Sequence, residues 1–588
     1  MCGVFGYVGQ STDVGDAVVT ALKTLEYRGY DSWGIAVSTP DRLIIDKSVG
    51  RINGHHRAYP EGCIGFGHTR WATHGGATRA NAHPHRDCSG SIAVVHNGII
   101  ENHTALRAAL IARGHQFTSE TDSEIVAHLV EEQLATGESF ASAVADSFDR
   151  LHGYNAIVVM DRVGQQLAAT KCVSPLVIGQ GALASTIASD SIALRGHADQ
   201  LVFLEDHHLA VLTKNGTDFY ERSTMKPLSP CAIPNNNRQE SIELGDYPDF
   251  LSKEVSEQPG TLRRLIDEAH QEITELAVKL RAAKRVVLVG SGTAGNAAIA
   301  GTYVFSQLCR RDVSFFPASE FRYRSAILDS ESLVIALSQS GETVDVLDAM
   351  TDARARGSQL AAIVNSPNST LNRFVETSVM LRAGVEQCVL ATKSYTAMLA
   401  VLLLTAYEVR EEWDRGAAAV GRATEAVEHV LDRERQAHMF QIARDFADAG
   451  NLFVIGRGVH YASALEAALK IKEVSYIHAE GFAAGELKHG VIALIEPGTP
   501  CLVFAPQDGT RTDVLTGASE LRSRGAKIIG VGSVDDEAFN EFIYIQDAGV
   551  ATPIVEAVPG QLLGYAAALA RGNDPDRPRN LAKSVTVK

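Results

Sequence analysis

The chain lacks a paired cysteine motif: its eight cysteines are scattered and form no CxxC. Neither a zinc finger nor a disulfide framework is expected, and the expectation is a protein needing no metal and no organic cofactor. It also lacks a surplus of positive charge. With 54 Lys and Arg against 70 Asp and Glu, the formal net charge is −16. That excludes general nucleic-acid binding, which relies on basic surface to neutralise phosphates. A small anionic substrate remains compatible, because a pocket of N–H groups can oppose the global sign locally. No apolar run approaches the ~20 residues of a membrane span, and no basic segment leading into an apolar one opens the chain. A reduced cytoplasm, without membrane association, is the expected location.

The 588 residues are too many for one core and suggest three or four compact units. A composition of 45% hydrophobic and 21% charged residues is ordinary for a soluble globular protein. Short β-like runs at 92–95, 156–160 and 201–204 alternate with helical stretches at 14–25 and 124–133, predicting an α+β layer fold. Residues 222–246, with Pro227, Pro230, Pro234 and Asn235-Asn236-Asn237, read as a linker. Beyond it the pattern becomes strand–turn–helix. Residues 285–290 run into Ser291-Gly292-Thr293 and an Ala-rich helix, and residues 333–337 into Ser338-Gln339-Ser340-Gly341 and another. A parallel sheet with covering helices follows. This half also repeats: Val346-Leu347 matches Val514-Leu515 at an offset of 168, and Gly290 matches Gly456 at 166. Two copies of one α/β unit are expected, over about 280–425 and 445–575.

Cys2 stands out chemically. If the initiator Met is removed, one residue carries a thiol of pKa near ~8.5 and an amine of ~7.7–8.0. The amine can take the thiol proton, so nucleophile and base come together. A thiolate attacking an amide needs donors aimed at the developing oxyanion. Asn97 and Gly98, in His96-Asn97-Gly98, can supply two, although that tripeptide alone also reads as a turn. Arg70 suits an α-carboxylate and Asp122 an α-ammonium. A metal site from His68, His74, His83 and His85 is disfavoured, because no carboxylate or cysteine completes a recognisable spacing.

Cys2-Gly3, the EYRGYDS run at 26–32, His68-Thr69-Arg70-Trp71, Asn81-Ala82-His83-Pro84-His85, the VHNGIIEN run at 95–102 and Thr121-Asp122 together resemble the class II glutamine amidotransferase domain. The resemblance implies an N-terminal-nucleophile αββα sandwich that releases ammonia from glutamine. It implies Cys2 as nucleophile, Asn97 and Gly98 as oxyanion hole, Arg70 and Asp122 as glutamine binders, and Trp71 as a gate for ammonia.

In the second half, Ser338-Gln339-Ser340-Gly341-Glu342-Thr343 lies between a strand and a helix, where hydroxyls and free N–H groups favour a phosphate. The turn holding Thr293 should lie at the adjacent strand end. Glu466, Lys470 and Glu473 share one face of a largely apolar helix. Charges on a partly buried helix need a purpose. A lysine in the tail, Lys583, can form a Schiff base with a ketone. These segments, with Gly485-Glu486-Leu487-Lys488-His489-Gly490 and the tail RPRNLAKSVTV, resemble the isomerase half of the glutamine–fructose-6-phosphate aminotransferase (isomerising) family, with its two sugar isomerase (SIS) domains.

That resemblance implies phosphate binding by Ser338, Gln339, Ser340 and Thr343 with Thr293 nearby, and a fructosimine on Lys583. It implies Glu473 as the base, Glu466 and Lys470 as support, and His489 acting from the other subunit of a homodimer. The implied fold is α/β and α+β multidomain: the N-terminal-nucleophile sandwich, then two tandem SIS-type doubly wound parallel units. The expected boundaries are 1–221 for the glutaminase, 222–246 for the linker, 247–430 for the first SIS domain and 431–588 for the second with its tail. Three positions depart from the family pattern. Ala294 replaces a usual Ser after Gly-Thr, Ala391 replaces a usual Ser before Thr-Lys, and Lys171-Cys172-Val173 replaces Arg-x-Gly. The ketose phosphate is therefore less sharply implied than the reaction. Related glutaminase-bearing enzymes need an ATP-pyrophosphatase loop or an acidic diphosphoribose loop, and neither motif is present. A non-catalytic SIS sugar-phosphate sensor would lack the glutaminase segments.

Overall fold

The computed structural model describes residues 2–39, 41–52, 58–235 and 243–586. The chain divides into two compact units, Met1–Ser241 with Ser584–Lys588, and Ile242–Lys583. Residues 236–242 of the stretch read as linker, Met1, and the tail residues Val587 and Lys588 lie outside the described residues.

The first unit is built on an eight-stranded and a seven-stranded sheet, and in each the neighbouring strands pair antiparallel. Alternation along strand Gly3–Gly9 explains the layering. Val4 and Val8 point to the facing sheet, among Phe66, Val95 and Val158. Phe5 and Tyr7 point the other way, onto Val18 and Leu22 of helix Val14–Thr24. In the second sheet Val94, Ile157 and Val159 face Val126 and Val130 of helix Glu124–Ala135 and Val144 of helix Phe140–Asp149. The order is helix, sheet, sheet, helix.

This unit runs past residue 221. Strands Lys226–Leu228 and Ile233–Pro234, inside the stretch read as linker, each close one end of a sheet. Their prolines, Pro227 and Pro234, sit where a missing N–H is tolerated, on edge strands. The same residues that mimic a linker in the sequence finish two sheets in the fold.

The second unit contains two five-stranded parallel sheets. The first is formed by Arg285–Gly290, Val313–Pro317, Ser332–Ser338, Gln359–Val364 and Thr377–Met380. The second is formed by Asn451–Gly456, His478–Ala483, Pro500–Phe504, Lys527–Gly532 and Glu541–Tyr544. Both have the spatial order second, first, third, fourth, fifth, so the repeat extends to topology. Their helices share one core. Helices Lys393–Val409 and Thr552–Ala570 are buried almost all round, and Leu399, Leu402, Val555 and Leu562 join a single apolar cluster with residues from both sheets. Among the described residues no helix is long and apolar enough to cross a membrane.

Candidate active sites

In the first unit, two sheets bring a thiol and an amide together. Cys2 precedes strand Gly3–Gly9, whose Gly3 lies opposite Thr69. The thiol Sγ accepts from the Trp71 N–H at 3.2 Å. The Cys2 carbonyl accepts from Arg28 Nε at 3.3 Å and from Asn97 Nδ2 at 3.0 Å. Asn97 and Gly98 end strand Ile92–Gly98 of the facing sheet. His68 Nε2 lies 3.1 Å from Asn97 Oδ1 and 3.0 Å from the His96 carbonyl. Both neighbours are acceptors, so this nitrogen carries the proton. Burial pushes the His68 pKa down to about 3, keeping the ring neutral. The ring therefore fixes the Asn97 amide with its NH2 turned toward Cys2.

Gly98 has φ +142°, and an added Cβ would stand 2.3 Å from the Tyr154 carbonyl oxygen. No larger residue fits there. Asp122 is buried and accepts the Ile100 N–H at 2.8 Å, two residues beyond Gly98. Arg70 ends strand Ile64–Arg70. Its guanidinium donates to the carbonyls of His74 (2.5 Å), Gly75 and Gly76 (both 3.1 Å), thereby holding the 74–76 loop. Burial lowers its pKa, an effect opposed by the nearby Cys2, Asp122 and Asp31 side chains. The Trp71 ring meets Tyr30 edge-on, with centroids 5.8 Å apart. The structure thus gathers Cys2, Asn97, Gly98, Arg70, Asp122 and Trp71 around the junction of the two sheets. It also adds Arg28 and His68, whose orienting parts no spacing in the sequence reveals.

The second unit holds a cavity of about 160 Å³ at the carboxyl ends of the first parallel sheet. Its walls include the turns after strands Arg285–Gly290 and Ser332–Ser338, where the strand order reverses direction, the usual ligand position in such sheets. Ser338, Gln339, Ser340 and Thr343 form one side. The Gly341 N–H donates to Ser338 Oγ at 3.0 Å and the Glu342 N–H to Ser340 Oγ at 3.2 Å. Thr343 caps helix Val344–Ala355, and its hydroxyl makes no capping bond. Gly341, at φ +67°, is required: a Cβ would lie 2.1 Å from Ser369 Oγ. The helix amino end and the hydroxyls together offer donors of the kind that hold an anion.

Opposite stand Lys470, Glu473 and Lys583. Lys470 Nζ is 2.7 Å from Glu473 Oε2 and 3.4 Å from Glu466 Oε1, all on helix His460–Ser475. Burial alone would lower the Lys470 pKa, but Glu473 and Glu466 outweigh it and hold it above the ordinary lysine value. Thr293 is bound into this network: its hydroxyl donates to Glu466 Oε1 and accepts from Lys470 Nζ, each at 3.0 Å. It thus ties the two repeats together beside the 338–343 turn.

Lys583 is buried, unlike an ordinary tail lysine: its side chain is only 4% exposed. Its Nζ donates to Glu386 Oε2 at 2.9 Å and to the Leu390 carbonyl at 3.0 Å. Burial would raise the Glu386 pKa, yet Lys583 and Lys393 bring it below the ordinary carboxylate range. Glu254 behaves oppositely: fully buried, its pKa is pushed up to about 8. Its Oε1 accepts the N–H groups of Gln387 (2.5 Å) and Cys388 (3.1 Å), and its Oε2 has no partner among the described residues. The two carboxyls are thus pushed in opposite directions, Glu386 toward the ionised form and Glu254 toward the protonated one. Nothing around Glu386 in the sequence marks it.

Ala294 and Ala391 both line the cavity. His489 ends the short helix Ala484–His489, is exposed, and is not among the cavity residues of this chain.

Residues 68–195 match the glutamine amidotransferase domain, and residues 279–407 and 445–571 match the SIS domain. The chain is 39% identical over 612 residues to glutamine–fructose-6-phosphate aminotransferase (isomerizing) of Thermus thermophilus, covering 100% of both chains. It is 40% identical over 609 residues to the Pyrococcus horikoshii protein of the same name, again covering 100% of both. Among solved structures, the C-terminal domain of glucosamine-fructose-6-phosphate aminotransferase from Francisella tularensis superimposes with a TM-score of 0.53 at 29% identity. That match covers 56% of this chain and 99% of the other. The chain belongs to the glutamine–fructose-6-phosphate aminotransferase (isomerizing) family of enzymes.

Proposed function

We propose that this enzyme moves the amide nitrogen of L-glutamine to D-fructose 6-phosphate, giving D-glucosamine 6-phosphate and L-glutamate. Cys2, freed by removal of Met1, attacks the amide carbon as its α-amine takes the thiol proton. Asn97 and Gly98 stabilise the oxyanion, and ammonia leaves from a thioester that water then hydrolyses. Arg70 and Asp122 hold the charged ends of glutamine, and Trp71 gates the ammonia. At the sugar site the Ser338, Gln339, Ser340 and Thr343 cradle binds phosphate, with Thr293 adjacent. Lys583 condenses with the ketone and releases water. Ammonia displaces the lysine, and Glu473 moves a proton from the first sugar carbon to the second. Glu466 and Lys470 keep Glu473 in place. The water consumed at the thioester balances the water released at the imine.

The enzyme acts as a cytoplasmic homodimer, in which His489 of the partner subunit assists ring opening. No step needs a metal or an organic cofactor, since imine formation polarises the carbonyl. One cavity holding Lys583 and Glu473 beside the 338–343 turn is the observation that supports this reading. In the direct test, Cys2→Ala loses synthesis from glutamine and keeps it from free ammonia, whereas Lys583→Ala keeps glutamine hydrolysis and loses amino sugar. Unchanged synthesis by Lys583→Ala would remove that residue from the mechanism.

A second reading rests on Ala294 and Ala391. Both line the cavity in place of hydroxyls the resemblance implies, a change compatible with a paralogue that aminates another ketose phosphate. A panel of ketose phosphates compared by kcat/KM decides between the two.

A further inference from the structure

Outside the residues assigned to either reaction, four side chains of the first unit converge on one point. Cys88 lies in the turn between strands His85–Arg86 and Ile92–Gly98, and His115 follows helix His103–Ala112. His128 and Glu131 lie on helix Glu124–Ala135. One ligand atom from each falls within 4.8 Å of all the others. Cys88 Sγ is 3.7 Å from His115 Nδ1 and 3.6 Å from His128 Nδ1. Glu131 Oε2 is 3.0 Å from His115 Nδ1 and 3.2 Å from His128 Nδ1, and it also accepts the Cys88 N–H at 3.3 Å.

Zinc–ligand bonds of about 2.3 Å to sulfur and about 2.0–2.2 Å to nitrogen or oxygen, at tetrahedral angles, give edges of roughly 3.6 Å for S···N and roughly 3.3 Å for N···O. Four of the six edges, at 3.7, 3.6, 3.0 and 3.2 Å, lie near these lengths, and the other two are within 4.8 Å. The outer ring nitrogen of His115 lies beside a carboxylate, as those of metal-bound histidines do, whereas that of His128 makes no hydrogen bond among the described residues. His115 Nε2 is 3.3 Å from Glu132 Oε1, and His128 Nε2 is 3.9 Å from Glu124 Oε1. A thiolate and a carboxylate also cancel the charge of a divalent ion, and the sulfur and nitrogen donors disfavour magnesium and calcium.

We propose that Cys88, His115, His128 and Glu131 bind one zinc ion in a closed, four-ligand structural site. Uptake releases the Cys88 thiol proton. The ion ties three chain segments together and braces helix Glu124–Ala135, which begins two residues after Asp122.

The test uses the full chain, stripped with a chelator and titrated with cobalt(II). The expected result is one equivalent bound per chain, with a near-ultraviolet thiolate-to-cobalt band and the intense visible bands of four-coordinate cobalt. Zinc should bleach both and raise the thermal midpoint. Cys88→Ser should lose the ultraviolet band, and combining it with His115→Ala should weaken binding by about 100-fold or more. Both positions are at least partly exposed, so these variants test binding without opening the core. The proposal is overturned if the wild-type chain binds cobalt no more tightly than the double variant. Six-coordinate spectra, or an ultraviolet band that survives Cys88→Ser, would overturn it equally.

Discussion

Lys583 Nζ stands 2.9 Å from Glu386 Oε2 although 197 positions separate them in the chain. Both side chains are buried. The pair draws a tail residue into a cavity and places an amine at its wall. It also sets a condition on the chemistry: the lysine must give up its proton to become a nucleophile, and Glu386 is the nearest base.

Glu386→Gln should uncouple the two sites. Removing one member of a buried pair costs about 3–5 kcal/mol. Amino-sugar synthesis should fall by about 100-fold or more, equivalent to roughly 3 kcal/mol, while glutamine hydrolysis persists. Parallel assays of glutamate and amino sugar check this. Equal loss of both products would show that the variant damages the fold instead.

Gly98→Ala addresses the other site. A Cβ there meets the Tyr154 carbonyl at 2.3 Å, in a backbone conformation that L residues rarely adopt. The strain, about 1–3 kcal/mol, should displace the Asn97–Gly98 edge. Glutamine hydrolysis should fall by orders of magnitude while synthesis from free ammonia survives. Steady-state assays with each nitrogen donor check the split.

The grouping of the candidate residues is legible where it is local: the 338–343 turn and the Glu466, Lys470, Glu473 spacing each fall within one turn or helix. The tandem repeat likewise appeared as an offset before it appeared as two sheets of one strand order. What stayed hidden depends on long-range packing. His68 orients Asn97 from a strand of the other sheet. Glu386 is a loop carboxylate with no motif around it. The Cys88, His115, His128, Glu131 cluster escaped because its ligands come from a turn, a loop and a helix rather than from a short spacing. Pro227 and Pro234 misled because an edge strand and a linker tolerate the same residue.

Glu254 predicts a pH dependence. Its folded-state pKa of about 8 lies above the ordinary value of 4.5. The folded state therefore keeps a proton that the unfolded chain loses, so its contribution is full below about 4.5 and is lost as pH rises through about 8. Glu254→Gln should flatten that decline, by an amount on the order of a few kcal/mol. Thermal midpoints of both proteins at several pH values within this window check it. Parallel curves would count against a proton on Glu254.

Ala294→Ser and Ala391→Ser should retune the sugar. A hydroxyl that finds or loses a partner is worth about 1–3 kcal/mol, or roughly 5- to 150-fold in kcat/KM. Each variant should shift the ranking of ketose phosphates while leaving glutamine hydrolysis unchanged. An unaltered ranking would mean that neither side chain meets the substrate.

The transfer itself is read by supplying glutamine with heavy nitrogen in the side-chain amide, together with fructose 6-phosphate, and following the products by mass spectrometry. Labelled glucosamine 6-phosphate should accumulate one for one with glutamate. Glutamate appearing without labelled amino sugar, from any ketose phosphate offered, would contradict the transfer.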